Sequence, residues 1–308
     1  MKVALFGATG FVGSYIVDEL LNQGHKPIVL VRENSEDKLP QSAKCKLVKG
    51  DINNQDAINK TIQGADAVIY CIGIIREFKS KGITYENLHF QGAKRCIDTA
   101  VESGVNRFIL MSANGVKIDG TGYQKTKHLS EQYLKYTKLN WTIFRPSLVF
   151  GDPRGNNRPE FCTQLKKDML SLPIPAPNFH KGLNPLDAGK FAMSPIHVKD
   201  VSSFFVNSID MENSFKKTYP LGGVAYYWKD IIQTIAKAYG KNKWTIPAPA
   251  IAIQIVASFL GRFSWFPITK DQLTMLIEGN VCESEEFFEL FKIEPTPFNT
   301  ETLSYLNK

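Results

Sequence analysis

The chain is poor in the residues that make disulfide scaffolds, metal centres or membrane spans. Its 308 residues include only five cysteines: Cys45, Cys71, Cys96, Cys162 and Cys282. They are odd in number, scattered, and without CxxC spacing. A disulfide framework is therefore excluded, and reduced thiols in an intracellular, cytoplasmic protein are expected. The histidines (His25, His89, His128, His180, His197) have no ligand spacing among themselves or with the cysteines, so no metal site is expected. No stretch reaches the roughly 18 uninterrupted apolar residues of a membrane span. The nearest, IPAPAIAIQIVASFLGRFSWFPI, is broken by Pro247, Pro249, Gln254 and Arg262. It reads as a short helix with one apolar face, packed into the core or, alternatively, set against a membrane or a partner. The opening MKVALFGATG has too short an apolar run for a signal peptide. A net charge of +7 comes without a long basic run or a docking motif. Nucleic-acid binding is therefore not expected, whereas a basic face suits an anionic small molecule or an acidic membrane surface.

What the chain does have is a regular alternation. KVALF, PIVLV, KLVK, DAVIYCIG, RFILMS and WTIFRPS read as strands. Between them, FVGSYIVDELLNQG, NQDAINKTIQG, TYENLHFQGAKRCIDTAVESG and GYQKTKHLSEQYLKYT carry helical spacing. Strands separated by helices of this length predict an α/β fold of Rossmann type, a doubly wound parallel sheet with helices on both faces. Near residue 150 the composition turns to Pro, Gly and Asn, and residues 152–191 read largely as loops. The expected organisation is a dinucleotide-binding domain over 1–157, with 192–223 returning to it. Residues 158–191 and 224–308 would form a small, mainly helical lobe for a substrate or partner.

ALFGATGFVGSYI places Gly7, Gly10 and Gly13 between a strand and the start of a helix. This is the arrangement that lets a backbone turn approach a pyrophosphate beneath the unpaired N–H groups of a helix N-terminus. The expected cradle is Gly7, Thr9, Gly10, Phe11, Val12 and Gly13. The acid that would grip an NAD ribose at the end of the second strand is missing, and Arg32 follows Val31 instead. A guanidinium there suits a 2′-phosphate, so NADP(H) is the expected cofactor, with NAD(H) as the alternative because Glu33 and Asp37 are close by. Asp51, with Ile52, is expected at the adenine edge, and Cys71, Ile72 and Gly73 beneath the adenosine ribose.

Two Tyr-x-x-x-Lys matches occur. Tyr239 and Lys243 straddle Gly240 and share no helical face. Tyr123 and Lys127 open a helix just after the fifth strand, and residues i and i+4 share a face. A Lys there is expected to lower the phenol's pKa and to hold the nicotinamide ribose, leaving the Tyr to act as acid or base.

Taken together, GATGFVG, GD at 50–51, YQKTK, FRPSLVFGDP and PIHVKDV resemble the extended and atypical short-chain dehydrogenase/reductase superfamily. RFILMSANGV, YPLGGVAYYWKDII and the tail ITKDQLTMLIEGNV resemble the branch that contains the nucleotide-binding accessory subunit of respiratory complex I and its bacterial relatives. The resemblance covers nearly the whole chain. It implies a Tyr123–Lys127 catalytic pair and a segment at Pro146 and Ser147 passing near the nicotinamide. It also implies an oxidoreductase, or a relative of sugar-nucleotide epimerases and dehydratases, acting on a small-molecule substrate. A non-catalytic accessory or assembly protein of a membrane complex, with peripheral membrane or protein contacts, is the alternative. The family's catalytic Ser or Thr follows the fifth strand. In this chain Ser112 comes early, and Ala113 and Asn114 fill the slot, where only the Asn114 amide could donate. His89 stands where many relatives have Asn.

Overall fold

The first apolar run, Lys2–Phe6, forms strand β1 with four of its five residues buried. The alternation continues through α1 (Phe11–Asn22), β2 (Lys26–Val31), β3 (Lys46–Lys49), α2 (Gln55–Ile62), β4 (Ala67–Tyr70), α3 (Gly92–Glu102), β5 (Arg107–Met111), α4 (Gly122–Lys135) and β6 (Asn140–Pro146). A computed structural model describes residues 1–39, 42–155, 158–182, 184–260 and 268–307 of the chain. Its residues divide into two units. One comprises Met1–Pro146, Val198–Leu221 and Glu285–Glu294. The other comprises Ser147–His197, Gly222–Ser284 and Pro295–Lys308.

The first unit is built on a seven-stranded sheet. From one edge its order is Lys217–Leu221, β6, β5, β4, β1, β2, β3. Every neighbouring pair is parallel. Parallel strands need helical crossovers, which cover both faces and explain why the strands are nearly continuous apolar runs. The chain leaves β1 toward β2 and β3, then returns to lay β4, β5 and β6 on the other side. The strand order reverses between β1 and β4, and in open α/β sheets a ligand crevice forms at such a point. Against one face pack Ile58, Ile97 and Leu134. An aromatic cluster also forms in this unit, with Phe144 4.9 Å from Phe205 and 5.7 Å from Tyr219, ring centroid to ring centroid. Phe288 and Phe291 join it through Phe204, at 5.0 and 5.1 Å. Those two rings explain why Glu285–Glu294, far along the chain, belongs to the sheet unit.

A buried arginine ties the far strands together. Arg107 on β5 donates from Nε to Ile209 O (3.0 Å), from Nη1 to Asn140 O (2.6 Å) and from Nη2 to Thr142 Oγ1 (2.8 Å) and Ser208 O (2.6 Å). Its guanidinium lies 4.6 Å from the Phe215 ring centroid. Burial lowers it to about 10, so it remains a cation at neutral pH.

The second unit packs around Trp228, which stacks on Phe191 at 5.5 Å and donates from Nε1 to Pro177 O at 3.1 Å. The Pro-rich part of 152–191, expected as loop, contains the strand Ala176–His180, paired in parallel with Thr245–Pro249. A two-stranded ribbon leaves one side of each strand open, where a proline removes no ladder bond. The apolar stretch that follows splits into that second strand and the helix Ala250–Leu260. One side of this helix packs into the core through Ala250, Ala257 and Ile253, while Ile251, Ile255 and Phe259 face outward. Arg262, Phe263 and Trp265 lie outside the described residues. Among the described residues, no helix is long and apolar enough to cross a membrane.

Candidate functional site

The turn after β1 is shaped by backbone that only glycine tolerates. Gly7 has φ +102°, and a Cβ there would stand 3.0 Å from Cys71 Sγ and 3.1 Å from Ile72 N. The Gly10 N–H donates to Gly7 O at 3.0 Å and caps α1 without a side-chain acceptor. A Cβ on Gly13 would run into Gly7 O, so only glycine lets α1 sit this close to the turn. Phe11 and Val12 begin the first turn of α1, which contains no acidic residue. Thr9 lies on the turn itself. A helix N-terminus with neither a side-chain cap nor a carboxylate favours an anion, and the glycines leave room for one. The cradle therefore fits a dinucleotide pyrophosphate.

At the end of β2, Arg32 is exposed, and its guanidinium has no hydrogen-bond or ion-pair partner among the described residues. The Asp51 carboxylate accepts from Asn53 N (2.9 Å) and Asn53 Nδ2 (2.6 Å), which closes a local turn after β3. Ile52 is buried, and its carbonyl accepts from Arg95 Nε at 3.0 Å. Cys71 Sγ donates to Phe6 O at 3.2 Å, and burial pushes its thiol up to about 12.

The start of α4 is fixed by a capping box. Gln124 N donates to Thr121 Oγ1 (3.4 Å), and Thr121 N donates to Gln124 Oε1 (2.8 Å). One turn on, Lys127 is 3% exposed, and its Nζ donates to Met111 O at 2.8 Å and Ile72 O at 3.3 Å. A Cβ on Gly73 would lie 3.5 Å from that Nζ. Lys127 thus joins the ends of β4 and β5. Burial lowers its ammonium to about 8, against the pull of Cys71 and Glu131.

Tyr123 is half-buried and meets two rings edge-on, Tyr85 at 5.8 Å and His89 at 5.1 Å. Its hydroxyl has no hydrogen-bond partner among the described residues. Enclosure pushes the phenol up to about 12. The expectation that Lys127 lowers it is corrected: the ammonium is engaged by two carbonyls, and desolvation of the phenolate dominates. His89 accepts from Ile74 N–H through Nε2 (3.0 Å), which leaves Nδ1 to donate to Thr126 Oγ1 at 3.2 Å. Burial and the Lys127 charge hold the imidazole well below its usual range, so it is neutral. It lies in a π-helical stretch, Glu86–Gln91, that leads into α3.

Ser112 donates its N–H to Phe144 O at 2.8 Å, and its side chain is buried. Its Oγ has no hydrogen-bond partner among the described residues, the Tyr123 hydroxyl included. The Asn114 N–H donates to Pro146 O at 3.0 Å. Arg145, just before Pro146, pairs with Glu131 through Nε–Oε1 (2.8 Å) and Nη2–Oε2 (2.5 Å). Ser147 belongs to the other unit, where its hydroxyl donates to Asn280 O at 2.8 Å. So the structure joins Gly7 to Cys71 and Ile72, and Lys127 to Ile72 and Met111. No hydrogen bond or ion pair ties Arg32 or Asp51 to that group. Sequence reasoning missed Tyr85 and Thr126, and also the two carbonyls under Lys127, which carry no sequence signal.

A parallel sheet in the order 3-2-1-4-5-6, a glycine turn under α1 and a Tyr-x-x-x-Lys helix define a nucleotide-binding protein of the atypical short-chain dehydrogenase/reductase type. The family model described as NAD(P)H-binding matches residues 7–168, and the chain belongs to that family. It is 24% identical over 310 residues to the mitochondrial NADH-ubiquinone oxidoreductase 40 kDa subunit of Neurospora crassa, covering 98% of this chain and 78% of that protein. It is 25% identical over 271 residues to the ceramide reductase of Caulobacter vibrioides, covering 85% and 78%. The solved structure of Thermus thermophilus UDP-glucose 4-epimerase in complex with NAD superimposes with a TM-score of 0.74 at 15% identity, over 100% of this chain and 98% of that one.

Proposed function

We propose that the chain binds NADP(H) and acts as a slow carbonyl reductase, with Tyr123 as its proton donor. The observation that carries this reading is Lys127 Nζ fixed on Met111 O and Ile72 O one turn from an unbonded Tyr123 hydroxyl. Gly7, Thr9, Gly10, Phe11, Val12 and Gly13 would hold the pyrophosphate, and Arg32 the 2′-phosphate. Asp51 and Ile52 would border the adenine, and Cys71, Ile72 and Gly73 the adenosine ribose. Pro146 and Ser147 would border the nicotinamide, and Lys127 would hold the hydroxyls of its ribose. The bound nicotinamide supplies the hydride.

A phenol near 12 keeps its proton at neutral pH, which favours reduction over oxidation. Tyr123 gives that proton to the substrate oxygen, and solvent returns it to the phenolate. Ser112, buried and out of reach of Tyr123, does not act as a second donor. Loss of one such donor is typically worth about 2.7–4 kcal/mol, so turnover is slow unless the Asn114 amide substitutes. The substrate is an uncharacterised carbonyl compound. The name of the ceramide reductase supports a reductive direction, and the epimerase fold supports a sugar nucleotide. An intracellular setting accords with five free cysteines. The second reading, a non-catalytic accessory protein, is favoured by the same idle Ser112 hydroxyl and by the similarity to a respiratory-complex subunit.

Nucleotide titration with a turnover assay tests both readings. NADPH should bind roughly tenfold to a hundredfold tighter than NADH, with Arg32→Ala removing most of the difference, because a charge-assisted bond is worth about 1.5–3 kcal/mol. Tyr123→Phe should abolish NADPH consumption and leave binding unchanged. Equal midpoints for the two nucleotides would refute the cofactor assignment. Tight binding with no turnover on any carbonyl would leave the accessory reading.

A further inference from the structure

The helix Ala250–Leu260 is turned inside out. Its small residues Ala250 and Ala257 are buried, and Ile253 leans on the core of its unit. Its large residues point the other way: Ile251 is 63% exposed, Ile255 56% and Phe259 69%, with Val256 beside them. Positions 251, 255 and 259 recur every four residues and form one continuous stripe. Among the described residues, the one polar residue that is exposed on the helix is Ser258, whose hydroxyl is turned back onto Gln254 O at 2.7 Å. The strand leading into the helix adds exposed Ile246, and just before it Trp244 is 81% exposed. A surface helix ordinarily faces its apolar stripe inward, and a patch of this kind marks a contact surface.

Charge tells what covers it. From Ile231 to Lys270 the sequence contains no Asp or Glu. Lys237, Lys241 and Lys270 in that interval are exposed. Lys270 begins the helix Lys270–Glu278, which packs against Ala250–Leu260. An apolar stripe with an exposed Trp, in a forty-residue stretch of sequence whose only charges are cations, is complementary to an anionic lipid surface. A protein partner would need charges placed to match Lys241 and Lys270, whereas anionic lipid supplies the complement everywhere. We propose that Trp244, Ile246 and the outer face of Ala250–Leu260 dock the protein onto an anionic phospholipid bilayer, with Ile251, Ile255 and Phe259 entering the acyl boundary and Lys241 and Lys270 meeting the headgroups. The proposal does not rest on the cofactor assignment, since none of these residues belongs to the cradle or the Tyr–Lys pair.

The test is co-sedimentation of the full chain with vesicles of phosphatidylcholine, with and without phosphatidylglycerol. Binding is expected with phosphatidylglycerol, weakening as salt rises, together with a blue shift of tryptophan fluorescence that Trp244→Phe removes. Burying a side chain the size of Ile or Phe is worth roughly tenfold to a hundredfold, so Ile255→Glu and Phe259→Glu should each weaken binding by about that factor. Unchanged circular dichroism and thermal unfolding of the same variants show that they are folded. Three outcomes would overturn the proposal: no retention by anionic vesicles, equal retention of the Glu variants, or a dimer in solution that Phe259→Glu dissociates.

Discussion

A lysine ammonium held by two backbone carbonyls is harder to keep charged than one in water. For Lys127 the folded value falls from 10.5 to about 8. Between those values the unfolded chain binds a proton that the folded chain has released. Stability contributed at this site therefore rises with pH from about 8 to 10.5, by about 3 kcal/mol over the whole window. Below pH 8 both states hold the proton and the full penalty is present. Tyr123 acts in the opposite sense from about 10 to 12, where the folded phenol keeps a proton that the unfolded one loses. Urea titrations across the lower window should show the wild type gaining stability relative to Lys127→Met. Parallel curves for the two proteins would mean that Lys127 titrates as it does in solvent.

The start of α4 decides where Tyr123 stands. Its capping box leaves the first turn little freedom, and Gln124 Nε2 also donates to Gly115 O at 3.0 Å. Thr121→Ala should cost about 1 kcal/mol and fray the turn that carries the phenol. Turnover should fall while NADPH affinity, set by α1, stays constant. A parallel loss of both would show that the two helix starts are not independent. The turn after β1 could be read from three glycines, because it is a local pattern imposed by the backbone. Less could be read of α3, whose helical spacing hides the π-helical turn that brings His89 under Tyr123. Proline content suggested a loop where Ala176–His180 forms a strand. In Ala250–Leu260 nearly every position is apolar, so composition could not say which side faces out. The Lys127 anchors are carbonyls of Ile72 and Met111, main-chain groups that any residue would supply.

Among the described residues, one core packs against the sheet and another around Trp228, each built from residues of its own unit. The expected cradle and the Tyr–Lys pair lie wholly within Met1–Pro146. NADPH at a hundred times its Kd should therefore stabilise the sheet unit by about 2.7 kcal/mol. Hydrogen exchange should slow in β1 and β4 and remain unchanged in Trp228–Ala238. Equal slowing in both would mean that they open as one body.

The outermost strand of the sheet, Lys217–Leu221, is made long after its neighbour β6. At about 5–20 residues per second, roughly 4–14 seconds of synthesis separate the two. For that time the nascent chain carries a nucleotide cradle but an unpaired strand edge at Asn140–Pro146, the kind of edge that invites pairing with another chain. The acceptors of Arg107 at Ser208 and Ile209 are not yet made either, and Phe288 and Phe291 come later still. Slowing the ribosome between residues 147 and 216 would prolong that open-edged stage, so the yield of native protein should be most sensitive to codon choice in that interval.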